Sequence, residues 1–311
     1  MSSELRDLLQ STLGSGYRLS RELGGGGMAK VFVADDPSVG RRVVVKVLSP
    51  DLAAGVNIDR FKREIQVAVS LHHPRIVPVV SAGQSGADLL YYTMPFIEGE
   101  TLRAMITRAR QMPLDQALAI ALDVAEALQY AHDRNIVHRD IKPENILIER
   151  ATGRAVVTDF GIARAIERAA DITTVTSTGL TLGTPTYMSP EQASADRDLD
   201  GRSDIYSLGC VLFEMLAGTP PFNGPTARAI IARHMTEPPP SIRIVRPDLP
   251  AGAAVLLERM LAKAPDARPA TASALADAID HYESLTSASP TRGRLAEGLA
   301  KLWKVVRRGP K

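Results

Sequence analysis

HRDIKPEN at His138–Asn145 and TDFG at Thr158–Gly161 decide how this chain is read. Between them they place three oxygen donors, Asp140, Asn145 and Asp159, on two short polar runs. Hard divalent cations take oxygen ligands, and Mg2+ beside phosphates is held by only one or two carboxylates, the phosphates supplying the rest. Upstream, LGGGGMAKV (Leu23–Val31) carries four consecutive glycines between two β-rich runs. Glycines let a loop press its backbone N–H groups against phosphate oxygens without Cβ clashes; alone, such a run fits a flexible hairpin equally well. Lys46 ends VVVK in the middle of a half-buried strand, where an ammonium is costly unless paired. Glu64, on the helix that follows, is the candidate partner, in an arrangement that a plain lobe-stabilising ion pair would also give.

The organisation around these motifs is two-part. Residues 17–94 alternate short β-rich runs with turn residues: YRLSREL, the glycine cluster, KVFVA, RRVVVKVL, VPVVSAG and LLYYTM. They predict a small, mostly antiparallel sheet, interrupted by one helix from Asn57 to Ser70. From Glu98 onward the period becomes helical, with Leu114, Leu118, Leu122, Ala125 and Leu128 on one stripe and Ile205, Leu208, Leu212 and Met215 on another. The expected fold class is α+β and bilobal: an N-terminal extension over 1–16, a β-rich lobe over 17–94, a hinge at 95–99, an α-rich lobe over 100–283, and a Ser/Thr linker with a basic tail over 284–311.

Composition excludes several classes. With 311 residues, 45% hydrophobic and 23% charged, the chain has ordinary globular usage rather than that of a disordered or low-complexity scaffold. The single Cys210 excludes a disulfide framework and a structural zinc site, which fits a reducing cytoplasm. No run approaches the roughly 20 apolar residues of a membrane span, and the charged N-terminus is no signal peptide. The net charge of +2 is uneven: residues 291–311 hold seven basic side chains against the single Glu297, so residues 1–290 are mildly acidic. No nucleic-acid partner is expected of such a body.

Taken with GTPTYMSPE (Gly183–Glu191), SDIYSLG (Ser203–Gly209) and DARP (Asp266–Pro269), in that order, the chain resembles the protein-kinase family over Tyr17 to Tyr282. The phrases DFGIARA and SDIYSLGCVLFEMLAGTPPF are most similar to bacterial eukaryotic-like (Hanks-type) Ser/Thr kinases, as are Lys142 and Thr184. The resemblance implies ATP with Mg2+, or Mn2+ in its place, and protein substrates with Ser/Thr acceptors. It implies that the loop Leu23, Gly24, Gly25, Gly26, Gly27, Met28, Ala29, Lys30 and Val31 covers the phosphates, and that Lys46, held by Glu64, grips them. Val44 would roof the adenine, Met94 would stand behind it, and the backbone of Pro95 and Ile97 would face its edge. Asp140 would take or orient the substrate proton, Lys142 would neutralise the γ-phosphoryl charge, and Asn145 and Asp159 would bind the metal. Glu191 would pair with Arg268, and Asp204 would steady the catalytic loop. Departures are Ala29 for the third glycine, Val44 for the usual alanine and Ser189 for another. A pseudokinase scaffold and a small-molecule phosphotransferase are the alternatives; intact Lys46, Asp140 and Asp159 oppose the first, the long activation segment and the SPE platform the second.

The same resemblance implies control by phosphate. Arg139, Arg164 and Arg60 form the expected cation cluster, Thr176 and Thr178 the expected autophosphorylation sites, with a transient homodimer as the assembly in which the reaction occurs. His138 is expected to pack rather than shuttle protons, Cys210 to be inert core, and His72 and His73 to have no metal role. In the tail, Leu295, Leu299, Leu302, Trp303 and Val306 share one helical face, with Lys301, Lys304, Arg307 and Arg308 around the rest. That pattern fits an anionic membrane surface, a juxtamembrane stretch of a longer protein, or docking on the α-rich lobe. The expected location is cytoplasmic, or membrane-associated if the tail is juxtamembrane.

Overall fold

The computed structural model describes residues 2–26, 29–48, 53, 56–84, 89–162, 165, 185–196 and 198–285. Strands β1 (Arg18–Gly26), β2 (Ala29–Asp36), β3 (Arg41–Leu48), β4 (Ser81–Gln84) and β5 (Leu90–Pro95) form one antiparallel sheet in the order β1-β2-β3-β5-β4. Only part of VPVVSAG joins it: the strand begins at Ser81. Pro78 has no N–H for a ladder, and Val77 and Val80 instead donate singly to the carbonyls of Val157 and Thr93.

Strand β3 explains why the sheet needs two covers. Its residues alternate faces, yet the burial is continuous from Val43 to Val45 and resumes at Val47. Val44 and Leu48 pack with Phe61, Ile65 and Ala68, one stripe of helix α2 (Ile58–Val69), whose N-cap Asn57 accepts the backbone N–H of Arg60. Val43, Val45 and Val47 face the other way, into a cluster with Phe32, Ala34, Leu9 and Leu13. The last two come from helix α1 (Ser2–Leu13), so the N-terminal extension is a structural lid on the sheet. Gln10 fixes it to β1, its Nε2 donating to the carbonyl of Tyr17 at 2.9 Å and its Oε1 accepting the N–H of Leu19 at 2.8 Å.

The rest of the chain is mainly helical, with a second sheet that periodicity did not announce: β6 (Gly99–Thr101), β7 (Ile146–Glu149) and β8 (Ala155–Val157). Helices α3 (Leu102–Ala109), α4 (Leu114–His132), α5 (Pro190–Ala193), α6 (Arg202–Ala217), α7 (Ala227–Thr236), α8 (Ala251–Met260) and α9 (Ala272–Asp280) follow. Helix α6 is buried from Ser203 to Leu216 and is the axis of the large core that α4, α8 and α9 share. The two halves are seamed where Ile76 bridges Val157, with Val157 donating to the carbonyl of Arg75 at 2.8 Å. Among the described residues no helix is long and apolar enough to cross a membrane.

Leu9 is fully buried under the sheet. Leu9→Ala is therefore expected to lower unfolding stability by about 3 kcal/mol in urea denaturation, as core leucine truncations do; an unchanged midpoint would mean that α1 does not hold the sheet in solution.

Candidate active site

Asp204, in the first turn of α6, is 1% exposed, and a carboxylate that deep must be met by donors. Oδ2 accepts the backbone N–H of His138 at 2.8 Å and lies 2.8 Å from His132 Nε2; Oδ1 accepts the N–H of Arg139 at 2.9 Å. Burial pushes this carboxyl up, but His132 and the backbone donor outweigh it and hold it below the usual carboxylate range. Arg139 has a left-handed φ of 69°. A non-glycine residue keeps that conformation only when its surroundings over-determine it, here through the bond to Asp204 and through Gln192 Nε2, which donates to the Arg139 carbonyl at 2.8 Å.

That turn sets the residues on either side of it. The N–H of Asp140 donates to His138 Nδ1 at 3.2 Å, so Nε2 carries the proton that goes to the carbonyl of Thr158 at 2.9 Å. His138 is fully buried and meets the Phe160 ring edge-on at 4.5 Å, which ties HRDIKPEN to TDFG by packing, as its sequence position suggested. Lys142 Nζ donates to Asp140 Oδ2 at 2.6 Å, and Asn145 Nδ2 donates to the same oxygen at 3.0 Å and to the Asp140 carbonyl at 2.8 Å. Asp140, Lys142 and Asn145 thus form one bonded set.

Asp159, also left-handed at φ 69°, is met from the first sheet. Lys46 Nζ bonds its Oδ2 and Tyr92 Oη donates to its Oδ1 at 2.9 Å. Burial pushes the Asp159 carboxyl up; Lys46, with the Tyr92 hydroxyl, more than reverses this and holds it below the usual range. Burial and the Asp159 charge push the Tyr92 hydroxyl far up, so it stays a donor. Glu64 is the expected partner of Lys46, and its side chain lies outside the described residues; among the described residues the ammonium meets Asp159.

An apolar cluster adjoins the site. Val44 and Met94 are paired across β3 and β5, and share a cluster with Ala29, Val31, Ile97, Leu147 and Val156. Leu147 and Val156 escaped the sequence reading because they sit on strands too short to show a period. Thr158 Oγ1 donates to Met94 Sδ at 3.1 Å, Pro95 lies opposite Val43, and Leu23 stands half out in solvent. Gly24 has φ 111°, the conformation that calls for glycine, and Gly25 and Gly26 run on in β1 opposite Lys30 and Ala29. Arg60 is exposed on α2. Gly27, Met28, Arg164, Thr176, Thr178, Thr184 and residues 286–311 lie outside the described residues.

Below the site, Arg268 uses all five of its N–H donors: two on Glu191, at 2.6 and 2.9 Å, and the others on the carbonyls of Ala262, Arg202 and Lys263. Burial pushes the Glu191 carboxyl up, yet Arg268 and Ser203 bring it below its usual range. Beside this pair His234 is fully buried, with Nδ1 2.9 Å from the Tyr206 hydroxyl and Nε2 3.1 Å from the Thr186 carbonyl. Nothing in the sequence motifs marked His234 or Tyr92; the available signal was a polar atom on an otherwise apolar face, which needs a partner.

The protein kinase domain family matches residues 17–279. The serine/threonine-protein kinase PknB of Mycobacterium leprae is 45% identical over 263 residues, covering 83% of this chain and 41% of the relative. PknA of Mycobacterium tuberculosis is 40% identical over 273 residues, covering 86% of this chain and 61% of the relative. Among solved structures, the kinase domain of Mycobacterium tuberculosis PknI superposes with a TM-score of 0.68 at 32% identity, covering 86% of this chain and 96% of that one. The chain spans about two fifths of the length of PknB.

Burial, with the nearby Lys263 charge, pulls the His234 pKa down to about 4. An unfolded histidine takes its proton near pH 6.5, so between these values the unfolded state binds more protons and stability falls as pH falls. Between pH 7 and pH 5 the wild-type chain is expected to lose about 2 kcal/mol more than a His234→Gln variant in urea unfolding; equal losses would place His234 in contact with solvent.

Proposed function

The chain belongs to the protein kinase domain family, and from that premise we propose that it transfers the γ-phosphoryl group of ATP to serine and threonine hydroxyls of protein substrates. The carrying observation is the bonded set Asp140–Lys142–Asn145 together with the Lys46–Asp159 pair, with an apolar cluster nearby. Phosphoryl transfer asks the protein for positioning and for stabilisation of charge spread over phosphoryl oxygens, and cations with oxygen donors supply both. The serine/threonine assignment is supported by the names of the relatives and by Lys142 beside Asp140.

In this reading the adenine packs against the apolar cluster that Val44, Met94, Leu147 and Val156 share. The N–H groups of Gly24 to Gly26 meet the phosphates, and Lys46 leaves Asp159 to bind them, with Glu64 as its expected partner. Asp140 orients the acceptor hydroxyl and takes its proton, while Lys142 neutralises charge on the transferred group. The Asn145 and Asp159 side chains fit a hard cation: the Asn145 amide nitrogen is committed to Asp140, which leaves Oδ1 to offer, and Asp159 is held in its charged form. They would hold Mg2+, or Mn2+ in its place, and when bound the cation would neutralise phosphate charge. Thr176 and Thr178 are the proposed autophosphorylation sites, with Arg139, Arg164 and Arg60 as the cations that would receive the phosphate.

Asp140→Asn and Asp159→Asn are each expected to lower kcat by about two to four orders of magnitude with an unchanged melting curve, as removal of groups that act in the transition state does. The assay is transfer of labelled γ-phosphate to a generic basic protein, with phosphoamino-acid analysis of the product. Wild-type turnover in either variant would contradict the assignment. Mass spectrometry of the wild-type and Asp140→Asn chains is expected to show phosphate at Thr176 or Thr178 only in the first; equal phosphate in both would contradict autophosphorylation.

A further inference from the structure

Tyr92 stands in the middle of β5, directly opposite Lys46 of β3 in the sheet register. Its neighbours on the same strand face, Leu90 and Met94, are buried apolar side chains, and Tyr92 itself is 3% exposed. A phenylalanine would fill that space, so the hydroxyl needs a separate reason. It has one: Oη lies 2.9 Å from Asp159 Oδ1, while Lys46, the residue across the ladder, takes Oδ2. One carboxylate is therefore gripped through both oxygens by two strands whose spacing the ladder fixes. The Thr158 hydroxyl lies 3.4 Å from the same Oδ1 but is turned to Met94 Sδ at 3.1 Å, which leaves Tyr92 as the close donor.

The two grips cannot have the same fate. If Lys46 serves the ATP phosphates, as proposed above, it must release Oδ2. Asp159 has an uncommon left-handed backbone and then depends on what still holds it. We propose that Tyr92 is a positioning residue for phosphoryl transfer: its hydroxyl keeps Oδ1 of Asp159 pinned to the sheet, so that Oδ2 is presented to the cation once Lys46 has moved to phosphate. This inference rests on the reading of Asp159 as a metal ligand. It adds that the aim of this ligand is set by a tyrosine on the sheet.

Tyr92→Phe removes the hydroxyl and keeps the ring. The test is calorimetric titration of the full chain with a non-hydrolysable ATP analogue, with Mg2+ and separately with excess chelator. For the wild-type chain Mg2+ tightens nucleotide binding. For Tyr92→Phe the metal-free affinity is expected to match wild type, while the gain from Mg2+ shrinks about tenfold, the scale of a hydrogen bond to a charged group. A full Mg2+ gain in Tyr92→Phe would overturn the proposal; so would an equal loss with and without Mg2+, which is the mark of a packing residue. Asp159→Asn separates the two levels: if it too keeps the full Mg2+ gain, the metal-ligand reading fails, whereas loss there with wild-type behaviour in Tyr92→Phe rejects Tyr92 alone.

Discussion

A single buried carboxylate sets the geometry on which the site depends. Asp204 lies in a helix that is buried almost throughout, and it spends its oxygens on two consecutive backbone N–H groups and one imidazole. One carboxylate meets two consecutive peptide N–H groups, and the chain turns directly after the second of them, at the left-handed Arg139. The side chains beyond it, Asp140 and Lys142, start from a backbone that the core fixes, and bonds within their own loop, to each other and to Asn145, then aim them. A hydrogen bond to a charged group in low dielectric is stronger than in water, and leaving such a carboxylate unmet is correspondingly costly. The polar centre of the large core thus works as an anchor for the site above it.

The small sheet supplies the opposing half by a different device. Its strands carry Lys46 and Tyr92 in register, and both reach across to Asp159, next to the phenylalanine on which His138 packs. His138 links the two sets: its Nδ1 accepts a hydrogen bond from the Asp140 N–H and its Nε2 donates one to the Thr158 carbonyl. Asp140 and Asp159 sit on separate motifs, yet they are set by one continuous set of bonds. An apolar cluster flanks these bonds, and Arg268 with Glu191 braces the base through a fully satisfied guanidinium.

Much of this was legible in the sequence because the chemistry sits in short runs of polar residues: Asp140, Lys142, Asn145 and Asp159 are read from eight- and four-residue motifs, and the Glu191–Arg268 bond is one that the family resemblance implied. The two-part α+β fold was legible from the change of period near residue 98. Helix α1 was not, although β3 held the clue: valines buried on both of its faces require a cover on each side. The bond of Lys46 to Asp159 was not legible, because a strand face says which way an ammonium points, not which carboxylates lie there. The contacts of Tyr92, His132 and His234 span 28 to 72 residues and join elements that no local pattern relates. Pro78 shortened a strand whose apolar residues alone had argued for a longer one.

The account stands most directly on the Asp204 anchor, and amide hydrogen exchange reads it at the two bonds concerned. In the wild-type chain the N–H groups of His138 and Arg139 are expected to exchange as slowly as those of the buried core. In Asp204→Asn both are expected to exchange at least about tenfold faster, the scale of losing one hydrogen bond to a charged group, while the amides of β2 and β3 keep their wild-type rates and phosphoryl transfer falls. Fast exchange of these two amides in the wild-type chain, or unchanged protection in Asp204→Asn, would contradict the account.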